Sequence, residues 1–400
     1  MTLSNKHILI GISGGIAAYK IPELIRLLVK TGAEVRVTTT RHALEFVTPI
    51  TLQTVSGHPI YSDVFAAINE HATEHISLPE WADVMLVAPA TANVLGKIAA
   101  GIADDALTTT LASCVARKPV VIAPAMNDKM WENPATQQAI STIRQWNNVA
   151  VLEPAEGPLA CGTCGKGRMP EIEELQEAIE AALTPKTLIG KRVLITAGPT
   201  QEALDPVRYL SNYSTGKMGY ALAHACARRG AQVTLVSGPT AQVVRDPQHI
   251  TRIDVCSAQQ MCEACQQEWQ KSDIAILCAA VADFAPEAAD SKIKKQPGQT
   301  ELLLSLHTTP DIARTLGACK RAGQTLIGFA LETDNEESNA LHKLQSKQLD
   351  AIVLNSLRHA GAGFGVDTNQ VSILLPDDKT IELPLQSKAA IAEGIIDALI

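Results

Sequence analysis

The stretch "HILIGISGGIAAYKIPELIRLLVKTGAEVRVTTT", residues 7–40, decides the fold. An aliphatic run of strand length meets a glycine-rich turn. An amphipathic helix follows, stops at "TGA", and gives way to a second aliphatic run. This is a strand–turn–helix–strand opening, in which the glycines let backbone N–H groups at a helix N-terminus face a bound phosphate. The plan recurs at residues 191–237, "KRVLITAGPTQEALDPVRYLSNYSTGKMGYALAHACARRGAQVTLVS", with a longer loop after the first strand. Between the two lie an amphipathic helix over 171–183 and the linker-like "TPKTLIGK". The reading divides the chain into domains 1–186 and 187–400. Further strands are predicted at 84–88, 120–123, 274–279, 325–330 and 351–354, with a hairpin near 370–383. Helices are predicted around 92–100 and 104–116. Strands alternating with helices indicate two α/β domains, each a doubly wound, Rossmann-like parallel sheet.

Composition agrees. Four hundred residues exceed one ordinary core. Hydrophobic residues make up 46% and charged residues 19%, as in a well-buried chain, and the scarcity of aromatics (4%) leaves aliphatics to build buried parallel strands. A net charge of −8 without a Lys/Arg block argues against nucleic acid as a partner, so any anion site must be local. No apolar stretch reaches about 18 residues, which argues against a membrane partner. "MTLSNKHILIGISGG" runs straight into a strand with no leader pattern, so a cytoplasmic location is expected, with the nine cysteines mostly reduced.

In the first half, "GISGGIAAYK" is not the dinucleotide fingerprint, and the second strand ends in "TTT" rather than an acid. Thr40 there suits a mononucleotide phosphate or ribose, and a nicotinamide dinucleotide is disfavoured. "APATAN" and "APAMNDKMW" supply two more polar loops after strands. Asn127 reads equally as a helix cap and as a pocket residue. His75 lies just upstream of the strand at 84–88, in "HATEHISLPEWAD", which lacks a metal-binding H-E-x-x-H pattern.

In the second half, the loop "ITAGPTQEALDPVRYLSNYSTGKMG" precedes a helix but lacks the P-loop signature. Asp283 follows a strand and is trailed by Lys292, Lys294 and Lys295, a set suited to a Mg²⁺-triphosphate. Phe329 ends another strand, and Lys343 and Lys347 are spaced to share one helix face.

Taken in order, "SGGIAAYK", "HISLPEWAD", "APATAN", "PAMNDKMW" and "LACGTCGKGRMPE" resemble the flavin-dependent cysteine decarboxylases, in particular the phosphopantothenoylcysteine decarboxylase domain of coenzyme A synthesis. The resemblance implies FMN as cofactor, held by Ser13, Gly14, Gly15, Thr40, Ala90, Thr91, Asn93 and Asp105. It also implies His75 as active-site base, Asn127 as holder of the departing carboxylate and Cys161 as the acid that protonates the product. In the same way "ITAGPT", "DPVRYLSNYSTGKMG", "AAVADF", "KIKK", "PDI" and "GFALET" resemble phosphopantothenate–cysteine ligase, which follows the decarboxylase in one chain in bacteria. That likeness implies CTP-dependent joining of cysteine to 4′-phosphopantothenate through an acyl cytidylate. Lys292 acts in activation and Asn212 in the cysteine step. Ala279, Ala280, Asp283, Pro310, Asp311, Ile312, Phe329, Lys343 and Lys347 line the CTP site, with Asp283 on Mg²⁺. A homo-oligomer is implied as well: trimer contacts completing each FMN site, trimers assembled into a dodecamer, and ligase domains paired as dimers. The sequence departs from the ligase pattern at Asn355-Ser356.

The resemblance also bears on Cys161 and Cys164. Zinc needs four ligands, and the other C-x-x-C, Cys262 with Cys265, lies in a helical pattern of the other domain. A redox dithiol starts a helix, whereas glycines surround this pair. A glycine-rich flap delivering the single thiol of Cys161 is the favoured reading. Two competing readings are a flavin-binding regulatory module, disfavoured because His75, Asn127 and Cys161 are all present, and a peptidyl-cysteine decarboxylase, disfavoured by the fused ligase.

Overall fold

The aliphatic runs of the first half become strands buried on both faces. The computed structural model describes residues 3–65, 73–158, 164–332, 334–356, 361, 363, 365–377 and 379–400. It divides into two compact units, Met1–Thr184 and Pro185–Ile400. In the first unit β1 (His7–Ile12), β2 (Glu34–Thr39), β3 (Ile60–Tyr61), β4 (Val84–Ala90), β5 (Val120–Pro124) and β6 (Val149–Val151) form one sheet in the order β3-β2-β1-β4-β5-β6. Every pairing is parallel. Strand periodicity splits β1 between two cores: Ile8, Ile10 and Ile12 pack with Leu24, Ile25 and Leu28 of the first helix on one face, and Leu9 packs with Met85, Leu107 and Leu111 on the other. An antiparallel hairpin follows, β7 (Ala155–Pro158) with β8 (Cys164–Arg168). Helix Ile172–Leu183, capped by Glu171, then buries Leu175 and Ile179.

The two-residue β3 is a strand that the sequence reading did not predict, and it makes Val84–Ala90 the fourth strand and Val120–Pro124 the fifth. A two-residue edge strand shows no alternation from which to read it.

The second unit is an eight-stranded sheet built from β9 (Arg192–Ala197), β12 (Gln232–Ser237), β13 (Ile250–Asp254), β14 (Ile274–Leu277), β17 (Thr325–Glu332), β18 (Ala351–Ser356), β19 (Thr368–Leu374) and β20 (Thr380–Ser387), in the order β13-β12-β9-β14-β17-β18-β19-β20. Its first six strands are parallel, and β19 and β20 add the antiparallel hairpin expected near 370–383. Two small hairpins stand apart from it: β10 (Gln201–Ala203) with β11 (Tyr209–Ser211), and β15 (Phe284–Pro286) with β16 (Leu306–Thr308). The first lies inside what the sequence reading described only as a long loop, because three-residue strands are too short to show a period. Helix Lys217–Arg228 crosses β9 so closely that a Cβ on Gly219 would stand 2.6 Å from that of Ala197.

The last helix, Lys388–Leu399, is fastened to helix Lys217–Arg228 by a mostly buried ion-pair network. Glu393 accepts from Arg228 Nη2 at 2.6 Å and from Arg229 Nη2 at 2.8 Å, and Arg229 also reaches Asp397 at 2.6 Å. Burial works to raise the Glu393 pKa, but the two arginines outweigh it and hold the carboxyl below its ordinary range. A depressed folded-state value means that this stabilisation is complete above the unfolded value of about 4.3 and is lost as pH falls through the lower folded value. Glu393→Gln leaves Arg229 buried with only Asp397 as an ionic partner, and should cost about 3 kcal/mol. Thermal unfolding of the mutant and wild type at pH 7 should differ accordingly and converge in acid; an equal gap at both pH values would refute the linkage.

Candidate functional site

In an open parallel sheet, ligands bind beyond the carboxyl ends of the strands, at the point where strand order reverses. In the first unit a cavity of about 1160 Å³ lies there, walled by the turns after β1, β2, β4 and β5 and by the end of β8. Of the sequence-predicted residues, Gly14, Gly15, Thr40, Thr91, Asn93, Asp105 and Asn127 line it. Ser13 does not. It is fully buried behind the wall, where its hydroxyl donates to the Pro89 carbonyl at 2.6 Å and accepts from Thr91 N at 3.1 Å, tying the first turn to the third. Ala90 is likewise buried and outside the lining.

Two candidates have structural duties as well. Asp105 Oδ1 caps helix Ala106–Cys114, and its Oδ2 takes Lys97 Nζ at 3.0 Å. Asn127 Oδ1 caps the short helix Asp128–Trp131 by accepting from Lys129 N at 3.0 Å. Both expected roles of Asn127, cap and pocket residue, therefore coexist. His75, in helix Glu74–Trp81, does not line this cavity; its Nδ1 is buried without a partner, and its backbone carbonyl accepts from Ser113 Oγ. Cys161 lies outside the described residues. Cys164 heads strand β8 rather than a helix, unlike the arrangement of a redox dithiol. Cys262 and Cys265 sit buried in helix Ala258–Trp269, where burial pushes both thiols up.

The sequence reading named none of the cations at this site. Lys20, Arg41, Lys97 and Arg168 line the cavity with His42, against one acid, Asp105. Lys20 and Arg168 are held at its rim by a shared partner, Glu171, each at 2.9 Å. Lys20 and Arg168 fall in quoted motifs, but nothing in their spacing marked them as neighbours. The wall fits a flavin mononucleotide by two further observations. The Thr40 hydroxyl is buried without a partner at the end of β2, as a phosphate or ribose oxygen would require. And the turn at Gly14 runs so close to the turn after β2 that a Cβ there would stand 2.6 Å from His42 Cβ.

In the second unit a cavity of about 940 Å³ occupies the equivalent edge. Asn212, Ala279, Ala280, Asp283, Pro310, Asp311, Ile312, Phe329, Lys343 and Lys347 all line it. Asn212 Nδ2 donates to the Ala280 carbonyl at 3.0 Å. Asp311 caps helix Ile312–Ala318 and pairs with Lys347 Nζ at 3.0 Å. Burial works to raise the Asp311 pKa, but the Arg314 amide and Lys347 bring it below the usual range. Lys343 pairs with Glu332 at 2.6 Å from helix Glu336–Ser346, whose C-cap is Lys347.

Lys292 is exposed and does not line this cavity. Lys217, Arg314 and Lys388, which sequence reasoning passed over, do. So does the first turn of helix Lys217–Arg228, whose Gly216 N-cap offers no side-chain cap, leaving amides to receive an anion. Among the described residues no group of three or more His, Cys, Asp or Glu side chains is placed to hold a metal ion. No helix among them is long and apolar enough to cross a membrane.

Comparison with known proteins adds the family. A model described as flavoprotein matches residues 1–184, and one described as DNA/pantothenate metabolism flavoprotein C-terminal domain matches residues 188–400. The coenzyme A biosynthesis bifunctional protein CoaBC of Bacillus subtilis (strain 168) is 47% identical over 402 residues, covering 99% of this chain and 97% of that protein. A cysteine/cysteine sulfinic acid decarboxylase of an unknown prokaryotic organism is 48% identical over 356 residues, 88% of this chain and 98% of its own. The solved FMN-dependent cysteine decarboxylase SpaF is 34% identical, with a TM-score of 0.40, and covers 45% of this chain and 97% of its own. With a flavoprotein model on one half, a pantothenate-metabolism model on the other and relatives matched along their whole length, the chain belongs to the coenzyme A biosynthesis bifunctional family, enzymes that join a flavoprotein decarboxylase to a ligase.

Proposed function

We propose that the second unit joins cysteine to 4′-phosphopantothenate with CTP and Mg²⁺, through an acyl cytidylate, and that the first unit decarboxylates the product to 4′-phosphopantetheine with FMN. The observation that carries this reading is a pair of cation-lined cavities, each at the carboxyl edge of its own parallel sheet, in a chain whose net charge is −8. Both reactions handle phosphorylated molecules, and the positive charge is concentrated where those would bind.

In the first unit the Thr40 hydroxyl, the glycine turn and the rim cations bind and orient phosphate-bearing groups. FMN, when bound, supplies a reversible two-electron sink for the substrate thiol. Asn127 holds the substrate carboxylate until it leaves as CO₂, and Cys161 delivers the proton to the product carbon. His75, outside the wall of its own chain's cavity, is assigned as base through the trimer contacts of the proposed oligomer. In the second unit Lys343 and Lys347 neutralise the triphosphate, Asp283 holds Mg²⁺, Lys292 assists departure of pyrophosphate and Asn212 orients the acyl cytidylate for attack by the cysteine amine. A cytoplasmic homo-oligomer, with ligase units paired as dimers, completes the reading.

The test is to incubate the purified protein with CTP, Mg²⁺, 4′-phosphopantothenate and cysteine, recording flavin absorbance, CO₂ and product mass. Release of CO₂ from free cysteine, with none from phosphopantothenoylcysteine, would overturn the substrate assignment. A second check concerns the cradle. Gly14→Ala forces the β1 turn and His42 apart at a cost of about 1–3 kcal/mol, which should raise the Kd for FMN roughly tenfold to a hundredfold. Flavin titration of the mutant at wild-type affinity would show that this turn does not hold the cofactor.

A further inference from the structure

Two helices of the second unit begin on a lysine at the wall of its cavity: Lys217 opens helix Lys217–Arg228, and Lys388 opens helix Lys388–Leu399. A cation in a helix's first turn faces the positive end of the dipole and is unfavourable there. The two beginnings converge on the start of β19. Lys388 N donates to the Asp367 carbonyl at 2.9 Å, and Lys217 Nζ donates to Asp367 Oδ1 at 2.6 Å. Asn369 lies beside them, its Nδ2 donating to Asn355 Oδ1 at 2.9 Å and standing 4.0 Å from Met218 Sδ in the first turn of the first helix.

The positive charge at this corner is poorly balanced. Lys388 is 8% exposed, and its Nζ donates to two neutral groups, the carbonyls of Gly363 (3.0 Å) and Val366. An ammonium has three donors, so one is left for a ligand. Burial, and after it Lys217, draw the Lys388 pKa down, as expected of a buried cation short of a counter-charge. The Asp367 side chain that pairs with Lys217 is 88% exposed, where water weakens its reach. Cys278, on the same wall, supplies no charge, because burial pushes its thiol up to about 12. Lys343 and Lys347 differ: each already has a carboxylate, Glu332 at 2.6 Å and Asp311 at 3.0 Å.

Two further groups here await a partner. The first amides of helix Lys217–Arg228 have no side-chain cap. Asn369 is 1% exposed and lines the cavity, yet its Oδ1 has no hydrogen bond. An anion would satisfy the lysines and the amides, and a hydroxyl or N–H would satisfy Asn369.

We propose that Lys388 and Lys217, with the first-turn amides of helix Lys217–Arg228, bind a phosphate group of a ligase substrate, and that Asn369 Oδ1 accepts from a hydroxyl or N–H of the same molecule. The proposal rests on the ligase reading, in which this one cavity takes two phosphorylated substrates. CTP and 4′-phosphopantothenate each carry a phosphate and a neighbouring donor, so the test is built to tell them apart.

The experiment uses the full chain and follows acyl cytidylate formation, giving KM for CTP, KM for 4′-phosphopantothenate and the inhibition constant of inorganic pyrophosphate. Lys388→Met keeps the apolar stem and removes the charge. Losing a charge-assisted hydrogen bond from a buried cation weakens binding about 10- to 100-fold. One KM should rise by that factor and the other stay within about twofold. A phosphate held equally before and during reaction affects KM rather than kcat, so kcat should change by less than about threefold. If the occupant is CTP, inhibition by pyrophosphate weakens in step; if it is 4′-phosphopantothenate, that inhibition is unchanged. Asn369→Leu should raise the same KM and not the other. Unchanged KM values in a folded Lys388→Met protein would overturn the proposal. So would an equal rise in both, which is the signature of a merely structural lysine, and a rise in opposite KM values for the two variants. If Lys388→Met does not fold, Lys217→Met replaces it, since a pair with an exposed carboxylate contributes little to stability; the same pattern with a smaller rise is expected, and its absence is equally decisive. Wild-type protein that forms no acyl cytidylate would instead refute the ligase reading.

Discussion

Cys161→Ser should release CO₂ from phosphopantothenoylcysteine yet yield little finished 4′-phosphopantetheine. Loss of the carboxylate needs the oxidised thiol of the substrate and a group to hold the departing anion, and neither is supplied by Cys161. The last step needs a proton at carbon, and a serine hydroxyl is a far weaker acid than a thiol. Removing a general acid costs about 10²–10⁴ in rate, so the unreduced ene-thiol product should accumulate to that extent relative to wild type. Cys164→Ser should be close to silent, since the favoured reading uses one thiol. Mass spectrometry of both reactions decides it: equal loss of finished product in the two mutants would restore the dithiol reading, and loss of CO₂ in Cys161→Ser would move the residue to an earlier step.

The second large effect separates Lys292 from Asn212. Lys292→Gln should form acyl cytidylate about 10²–10³ times more slowly, the usual cost of losing one electrostatic contact to charge that develops during reaction. Lys292 does not line the ligase cavity, whereas Lys343 and Lys347 do. Its removal should therefore reduce the activation rate much more than the affinity for CTP. Asn212→Asp is nearly isosteric but brings a negative charge to the cavity wall beside the Ala280 carbonyl, to which Asn212 Nδ2 now donates. An aspartate cannot make that donation. Activation should proceed while attack by cysteine slows, so the intermediate should build up. Incubation with CTP, Mg²⁺ and 4′-phosphopantothenate, with and without cysteine, tests both. An intermediate that accumulates in Lys292→Gln and never forms in Asn212→Asp would reverse the assignment.

What could be read in advance depended on sequence separation. Asn127 was legible both as cap and as pocket residue because each role is local: an Asn directly after a strand caps the next helix, and the strand's end is the ligand edge. Thr40 was legible for the same reason. Lys20, Arg41, Lys97 and Arg168 were not, because they come from four segments spread over about 150 residues and meet only when the sheet is assembled. Ser13 and Ala90 were placed at the right turns, but which side of a turn faces the cavity is set by packing, and packing put both behind the wall.

The sequence by itself determined the α/β class, the two strand–turn–helix openings, the ligand edge of each sheet and, through its ordered motifs, the family. These rest on periodicity, turn chemistry and short-range order, all carried by neighbouring residues. The tertiary structure alone decided that the rim cations share Glu171, that Lys292 stands off the cavity wall, and that Lys217, Asn369 and Lys388 meet at one corner of the ligase cavity. Long-range hydrogen bonds and ion pairs form only once the sheet order has brought distant loops to one edge, and no local period encodes that order.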